Sequence, residues 1–477
     1  MRPNVLLIMT DQQRGDCLGC LDHPVLETPN LDWLAANGSV FTAAYSPSPS
    51  CIPARASLFT GLNPWHTGIL GMGQGQGPMD LGDSPTLPGE LGKAGYHTQG
   101  VGKMHFHPQR TLNGFHNTVL DESGRAEDPG FVSDYRQWFD NNKRGPMDMT
   151  EHGIDWNSWL ARPYHTEEHL HPTNWTVDES LRFLQTRDPT KPFFLMTSFA
   201  RPHSPYDPPT YYFDLYRTQG LPKPHLGAWS HIHDRPDDAV NPNAWRGKRS
   251  DAEVQRARAG YYGSITHIDH QIGRLFQYLQ KNQLWDNTII LFTSDHGDML
   301  GDHNLWRKTY AYEGSARVPL IIRLPGKEDD QRRVIRQPTV LQDIMPTILE
   351  AAQCPLPAVD GRSLLPLLHN DHESWRAYVH GEHCTCYAEE QEMQFVTDGV
   401  FKYIWFPRLD SEQLFNLRDD PGECTDLAGL PNYQDTLELW RQRLVDELEP
   451  RDAGLTEGGR LVSQCGKPPL RSPHYPG

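Results

Sequence analysis

The sequence predicts an α/β fold. A central, mainly parallel β-sheet is flanked by helices, and a small C-terminal α+β subdomain with a short antiparallel sheet follows it. Three observations predict this. Short apolar runs recur at Val5–Met9, Phe193–Thr197, Thr288–Thr293 and Val318–Ile322. Each is strand-length and apolar throughout, the pattern of a parallel strand covered on both faces. Helical periodicity fills the intervals, and strands alternating with helices build parallel sheets. Late in the chain the pattern changes to short strands, "MQFVTDG" and "VFKYIWF". The change divides the chain into an α/β domain over residues 1–370 and a subdomain over 371–477, expected to border the functional pocket.

The elements follow in order. Val5–Met9 opens the sheet, and in "TPNLDWLAANG" Thr28 precedes a helix as N-cap, Pro29 takes its first position and Gly38 stops it. A long helix is expected from about 251 to 280, because Ile265, Ile268, Ile272, Leu275, Phe276 and Leu279 recur every three or four positions. Residues 106–170 and 205–250 are rich in Pro, His, Asp and Trp and break the rhythm, as insertions that wall a pocket do. The last helix places Leu437, Trp440, Leu444 and Leu448 on one face.

Composition narrows the function classes. The 477 residues carry 61 acidic and 44 basic side chains, a net charge of -17. That balance argues against nonspecific binding to nucleic acid or to an anionic membrane. It leaves an anionic small substrate open, since a few local cations can dominate a pocket. No stretch approaches the ~18 apolar residues of a membrane span. The first apolar run is too short for a signal peptide, so a cytoplasmic location is expected, or a periplasmic one for a trimmed chain. The eight cysteines show no disulfide rhythm. Cys17-x-x-Cys20 and Cys384-x-Cys386 lack the second pair that a zinc site needs.

Two predicted strands run into polar residues. The first leads to Thr10, Asp11 and Gln12, and "NTIILFTSDHGD" leads to Asp295 and His296. Ligand sites of open α/β sheets lie at such carboxyl ends. Hard oxygens and an imidazole, completed by a third segment, suit a divalent cation. The third segment is "SPSCIPARASLFTG". Pro53 suits the first turn of a helix, which puts Cys51 at the helix N-terminus, where negative charge is favoured. Arg55, one turn on, can point back at it. Cys51 then reads as a thiolate nucleophile, a metal thiolate, a modified cysteine or a buried cap.

Cys51-x-Pro53-x-Arg55, followed by Leu58, Thr60 and Gly61, resembles the signature of type I sulfatases, the formylglycine-dependent branch of the alkaline phosphatase superfamily. "TDQQ", "GKMHF", "RPHSPYDPP", "SDHGD", "LWRKTYAYEGSARVPLIIR" and "EQLFNLRDDPGE" resemble the family too, in its order, through about residues 4–427. The resemblance implies an alkaline-phosphatase-like fold and an arylsulfatase-type sulfuric ester hydrolase acting on an aryl or carbohydrate sulfate. It implies a Cα-formylglycine made from Cys51 by a formylglycine-generating or radical maturation enzyme. It implies a divalent metal on Asp11, Gln12, Asp295, His296 and residue 51. Calcium is the family's usual ion. Gln12 and His296 lower the ligand charge and soften the site, which admits manganese. By the same resemblance Arg55 holds the formylglycine hydrate and Lys103 binds sulfate. His105 handles the hydrate proton, and His203 and Lys308 meet the leaving-group oxygen and the sulfate.

Two rival readings bear on this. A phosphonate monoester or phosphodiester hydrolase of the same superfamily shares the tag and the metal site, but such enzymes tend to carry Tyr and Thr where this chain has Lys103 and His105. A non-catalytic metal or redox protein would leave Lys103, His203 and Lys308 unexplained. For the substrate itself, His380, Glu382, His383 and Trp405 are the candidates, since aromatic and acidic groups suit a sugar ring.

Overall fold

The structure, a computed structural model, describes residues 2–72, 77–235, 238, 241–326 and 333–475. The opening apolar run forms β1 (Asn4–Asp11), buried along its whole length. It is followed by β2 (Ser39–Phe41), β3 (Ala44–Tyr45), β4 (His97–Gly102), β5 (Asn117–Leu120) and β6 (Phe193–Pro202). Then come β7 (Thr288–Ser294), β8 (Leu320–Arg323), β9 (Arg333–Ile335) and β10 (Thr339–Val340). Eight of these make one sheet in the order β5-β4-β6-β1-β7-β8-β2-β9, while β3 and β10 pair separately. The non-consecutive order around β1 requires crossovers, which the helices supply.

Successive side chains of β1 enter different cores. Leu6 and Ile8 pack on one face of the sheet, Val5, Leu7 and Met9 on the other. This is why the run reads as continuously apolar. The long helix spans Asp251–Lys281 and brings Ile268, Ile272, Leu275, Phe276 and Leu279 to the first face. Burying each such side chain is worth about 1.5–3 kcal/mol. The helix opens with a capping box, Ser250 Oγ accepting from Glu253 N at 3.4 Å and Glu253 Oε2 from Ser250 N at 2.9 Å.

Two details differ from expectation. The fourth apolar run was expected to be parallel, yet β8 is antiparallel to both β7 and β2. Double burial conceals strand direction. Only short helical turns, Asp302–Asn304 and Glu313–Ala316, lie between β7 and β8, so the chain returns without a crossover helix. The helix Pro29–Ala36 does follow Thr28, but that hydroxyl donates to Asp32 Oδ1 at 2.8 Å and makes no cap bond. Gly38 serves close packing as well as termination: a Cβ there would lie 2.7 Å from the Ile322 carbonyl oxygen.

The C-terminal strands are β11 (Val379–His383), β12 (Met393–Thr397), β13 (Phe401–Phe406) and β14 (Ser411–Asn416), an antiparallel sheet in that order. The helix Gln434–Leu448 lays Leu437, Trp440, Leu444 and Leu448 against Tyr403, Trp405 and Leu414. Buried Lys402 ties this sheet to the preceding chain, donating to the Ala311 carbonyl at 2.7 Å and pairing with Glu313 at 2.7 Å and Glu423 at 3.1 Å. Among the described residues no helix is long and apolar enough to cross a membrane.

Candidate active site

β1 and β7 are parallel neighbours with Thr10 opposite Ser294, so Asp11 and Asp295 emerge side by side at the carboxyl edge of the sheet. Arg55 lies between them. Its Nε donates to Asp295 Oδ2 at 2.9 Å and its Nη2 to Asp11 Oδ2 at 3.4 Å. Its Nη1 donates to the Lys103 carbonyl at 2.6 Å and to Ser198 Oγ at 3.0 Å. All three charged side chains are fully buried, and buried charges persist only when paired. Lys103 Nζ is a further ion-pair partner of Asp11.

Cys51 is the first residue of the helix Cys51–Thr60, with Pro53 in the first turn. Its Sγ lies 3.0 Å from Lys308 Nζ, 3.2 Å from His296 Nε2, 3.6 Å from Asp11 Oδ1 and 3.7 Å from Lys103 Nζ. Burial and the Asp11 carboxylate push the thiol up, but Lys103, Lys308 and His296 outweigh them and bring it down to about 7. Burial would raise Asp11 as well, yet Lys103, His203, Lys308 and Arg55 hold it well below the usual carboxylate range. The site is therefore a buried cluster of positive charge facing one sulfur and two carboxylates. Arg55 was expected to reach residue 51. Its hydrogen bonds go to the two carboxylates, Lys103 and Ser198, so it braces the floor beneath the sulfur.

The histidines have fixed orientations. His296 Nδ1 donates to the Gly297 carbonyl at 2.8 Å, which points Nε2 at Cys51. His203 Nδ1 donates to the Ser204 carbonyl at 2.9 Å, so Nε2 accepts from Lys308 Nζ at 2.8 Å. Burial, then Lys308, keep His203 well below the ordinary histidine value. His105 has a left-handed backbone (φ 65), its N–H held by Glu122 Oε1 at 2.9 Å. Its ring contacts Arg125, and burial followed by Arg125 keeps it neutral.

The residues expected to bind a metal converge. Asp11, Cys51, Asp295 and His296 each offer one donor atom, all within 4.8 Å of one another. Among the described residues this is the one such group of three or more His, Cys, Asp or Glu. Gln12 adjoins it: its N–H donates to Asp295 Oδ1 at 3.0 Å and its Nε2 to Asp298 Oδ2 at 2.5 Å. That bond fixes the amide, and Gln12 Oε1 is left buried without a partner. An orphaned buried acceptor beside two carboxylates and an imidazole fits a divalent cation.

Above Cys51 lies a cavity of about 180 Å³, bordered by Lys103, His105, His203 and Lys308. Arg125, Trp156 and Asn157, from the first insertion, complete its wall as expected. No described residue of the second insertion borders it. Trp229 and Trp245 instead line a larger cleft of about 620 Å³ against Phe406 and Arg408.

The four substrate-binding candidates of the C-terminal part are not among the residues bordering this cavity. His380 bonds Gln394 Oε1 at 2.8 Å, and Glu382 pairs with Arg451 at 2.8 Å. Trp405 is buried in the core under the last helix. His383 comes nearest: its Nε2 bonds Ser50 Oγ at 2.7 Å, one residue before Cys51. Each is engaged by neighbours that the fold brings up: Gln394, Arg451, the core under the last helix and Ser50. Sequence reasoning in turn missed Ser198, Glu122, Arg125, Trp156 and Asp298. Asp298 was visible in "SDHGD", and Trp156 lay in an insertion already expected to wall the pocket.

Comparison with known proteins agrees with this geometry. The sulfatase family profile matches residues 3–354, and the N-sulphoglucosamine sulphohydrolase C-terminal profile matches 301–449. An arylsulfatase of Clostridium perfringens is 44% identical over 475 residues, covering 97% of this chain and 98% of that protein. A choline-sulfatase of Rhizobium meliloti is 31% identical, covering 96% of this chain and 89% of that protein. The crystal structure of a phosphonate monoester hydrolase of Agrobacterium radiobacter superposes with a TM-score of 0.74 at 26% identity, covering 98% of this chain and 99% of that one. With the tag at Cys51, the paired strand-end carboxylates and a match through residue 354, the chain belongs to the sulfatase family, as an enzyme that hydrolyses sulfate esters.

Proposed function

We propose that this enzyme cleaves a small sulfate monoester, aryl or carbohydrate, using the hydrate of a Cα-formylglycine made from Cys51 by a maturation enzyme. A divalent cation, calcium first and manganese second, is held by Asp11, Gln12, Asp295, His296 and residue 51. The observation that carries this reading is the position of Cys51 Sγ, which stands in for a hydrate oxygen. It lies at the helix N-terminus, within 3.7 Å of two ammonium groups, a carboxylate and an imidazole.

The hydrate supplies two hydroxyls on one carbon: one attacks sulfur, and loss of a proton from the other expels sulfate and restores the aldehyde. A bound divalent cation would add positive charge beside the attacking oxygen and the sulfate. The protein's own groups do the rest. Lys103 and Lys308 offer charge to the nonbridging oxygens as the sulfur–oxygen bond to the alcohol breaks. The alcohol needs a proton, and the hydrogen-bonded pair Lys308–His203 holds one on the cavity wall. His105 borders the same cavity as a neutral base for the second hydroxyl, once its ring releases Arg125.

The test uses protein made with a formylglycine-generating enzyme. Nitrophenyl sulfate and hexose sulfates should be hydrolysed, and elemental analysis should find one tightly held divalent cation. A phosphonate monoester turned over faster than every sulfate would overturn the reading in favour of phosphonate hydrolysis.

A further inference from the structure

A second cavity, of about 200 Å³, lies beside the catalytic one, and Ser123 and Trp156 line both. The loop that follows β5 builds the shared wall. Asp121 is only 1% exposed, and its Oδ1 accepts from Ser123 N at 3.0 Å. Its other oxygen, Oδ2, is buried with no partner, and so is Ser123 Oγ. Ser123 sits in the left-handed region (φ 56), in the turn that carries its side chain between the two cavities. Arg201, anchored to Asp207 at 2.7 Å, lines the second cavity with Asp121 and His152. Trp156 forms the partition; its segment is a turn outside helix and strand, and the residue is 39% exposed.

An unpartnered buried acceptor beside an unpartnered hydroxyl is costly unless a ligand completes both, at about 1–3 kcal/mol for each group. Asp121 Oδ2 asks for a hydroxyl donor, and Ser123 Oγ can donate to an oxygen and accept from another. We propose that this second cavity receives the remainder of the leaving alcohol, that this remainder is a hydroxylated ring, and that Asp121 and Ser123 select it by hydrogen-bonding ring hydroxyls beside Trp156. The inference rests on the sulfatase reading and sharpens it: a sulfated monosaccharide satisfies both groups, whereas a plain aryl sulfate leaves them orphaned. A site built to hydrogen-bond a hydroxyl discriminates strongly against an analogue that lacks it. Burial raises Asp121 to about 6, so at neutral pH it is mainly an acceptor.

The experiment measures kcat/KM on a panel of hexose monosulfates and on 4-nitrophenyl sulfate, for the mature enzyme and for Asp121→Ala and Ser123→Ala. The readout is the ratio of the best hexose sulfate to the nitrophenyl ester. Each variant should lower that ratio on the order of tenfold, the size of one lost buried hydrogen bond. Equal losses on both substrates would overturn the proposal, because they indicate a structural role for the loop. So would a mature enzyme that hydrolyses the nitrophenyl ester and no hexose sulfate, a result that leaves the sulfatase reading standing. Failure on every sulfate, with metal and aldehyde present, would overturn both.

Discussion

Polar residues cluster in two regions of this molecule, and the regions use them in opposite ways. At the carboxyl edge of the main sheet, Asp11, Lys103, His203, His296 and Lys308 converge around Cys51 and the space above it. In the C-terminal sheet, His380, Glu382 and Gln394 turn inward and close on one another and on Arg451. Both groups are buried. The difference is what the groups enclose. In the C-terminal network Glu382 is engaged by a guanidinium from 69 residues away. Each region leaves one buried side-chain oxygen without a partner, Glu382 Oε1 and Gln12 Oε1, but in the sheet-edge cluster Lys103 and Lys308 lie within 3.7 Å of the Cys51 sulfur at the foot of an open cavity. Convergence on an open cavity marks a site, whereas burial of charge alone does not.

The comparison can be broken by mutation, and the largest effect belongs to residue 51. Cys51→Ala should leave thermal unfolding within a few degrees of the parent and reduce kcat on the order of 10⁶-fold, the scale seen when a nucleophile is removed. Residual turnover close to the parent's would place the chemistry elsewhere. The carboxylates come next. Asp295→Ala leaves Arg55 buried without its closer carboxylate partner, at a cost of about 3–5 kcal/mol in stability. It should also abolish turnover and lower the bound-metal content, as elemental analysis would show. Chelation of the parent enzyme should reproduce the loss of turnover without the full loss of stability.

His203 offers a sharper contrast. If it shares delivery of the leaving-group proton, His203→Ala should slow sugar sulfates about 10²–10⁴-fold more than nitrophenyl sulfate, which departs without a proton. Equal losses would reassign it to holding Lys308. In the C-terminal sheet the pattern should invert. Trp405→Ala should cost about 3–5 kcal/mol of stability by opening a cavity under the last helix. Glu382→Gln, which loosens Arg451, should cost about 1–3 kcal/mol. Denaturant unfolding checks both, and kcat/KM measured well below the new midpoint should hold near the parent value. A fall in kcat/KM beyond tenfold for Glu382→Gln would return that residue to the substrate site.

Much of this was legible in the sequence, for physical reasons. β1, β6 and β7 announce themselves because both faces are covered, and the residues just past β1 and β7 are polar because the sheet ends there. The helix Cys51–Thr60 is marked by Pro53. The direction of β8 was not legible, since burial on two faces has no polarity. Nor was the fate of Glu382 and Trp405: their side-chain types suit a sugar site and a core network equally, and only the fold brings in Arg451 and the last helix. Trp156 and Ser123 were hidden for the opposite reason. They lie in an insertion with no periodicity, so sequence places the loop near a pocket without saying which side chains face it.

The proposed chemistry turns on residue 51 acting as an aldehyde hydrate above a metal site. Peptide mass spectrometry of the segment containing residue 51 tests it most directly, run on preparations with graded exposure to the maturation enzyme. The aldehyde fraction and kcat should rise in proportion and vanish together in unmatured protein. Full turnover from protein whose Cys51 remains a thiol would contradict it.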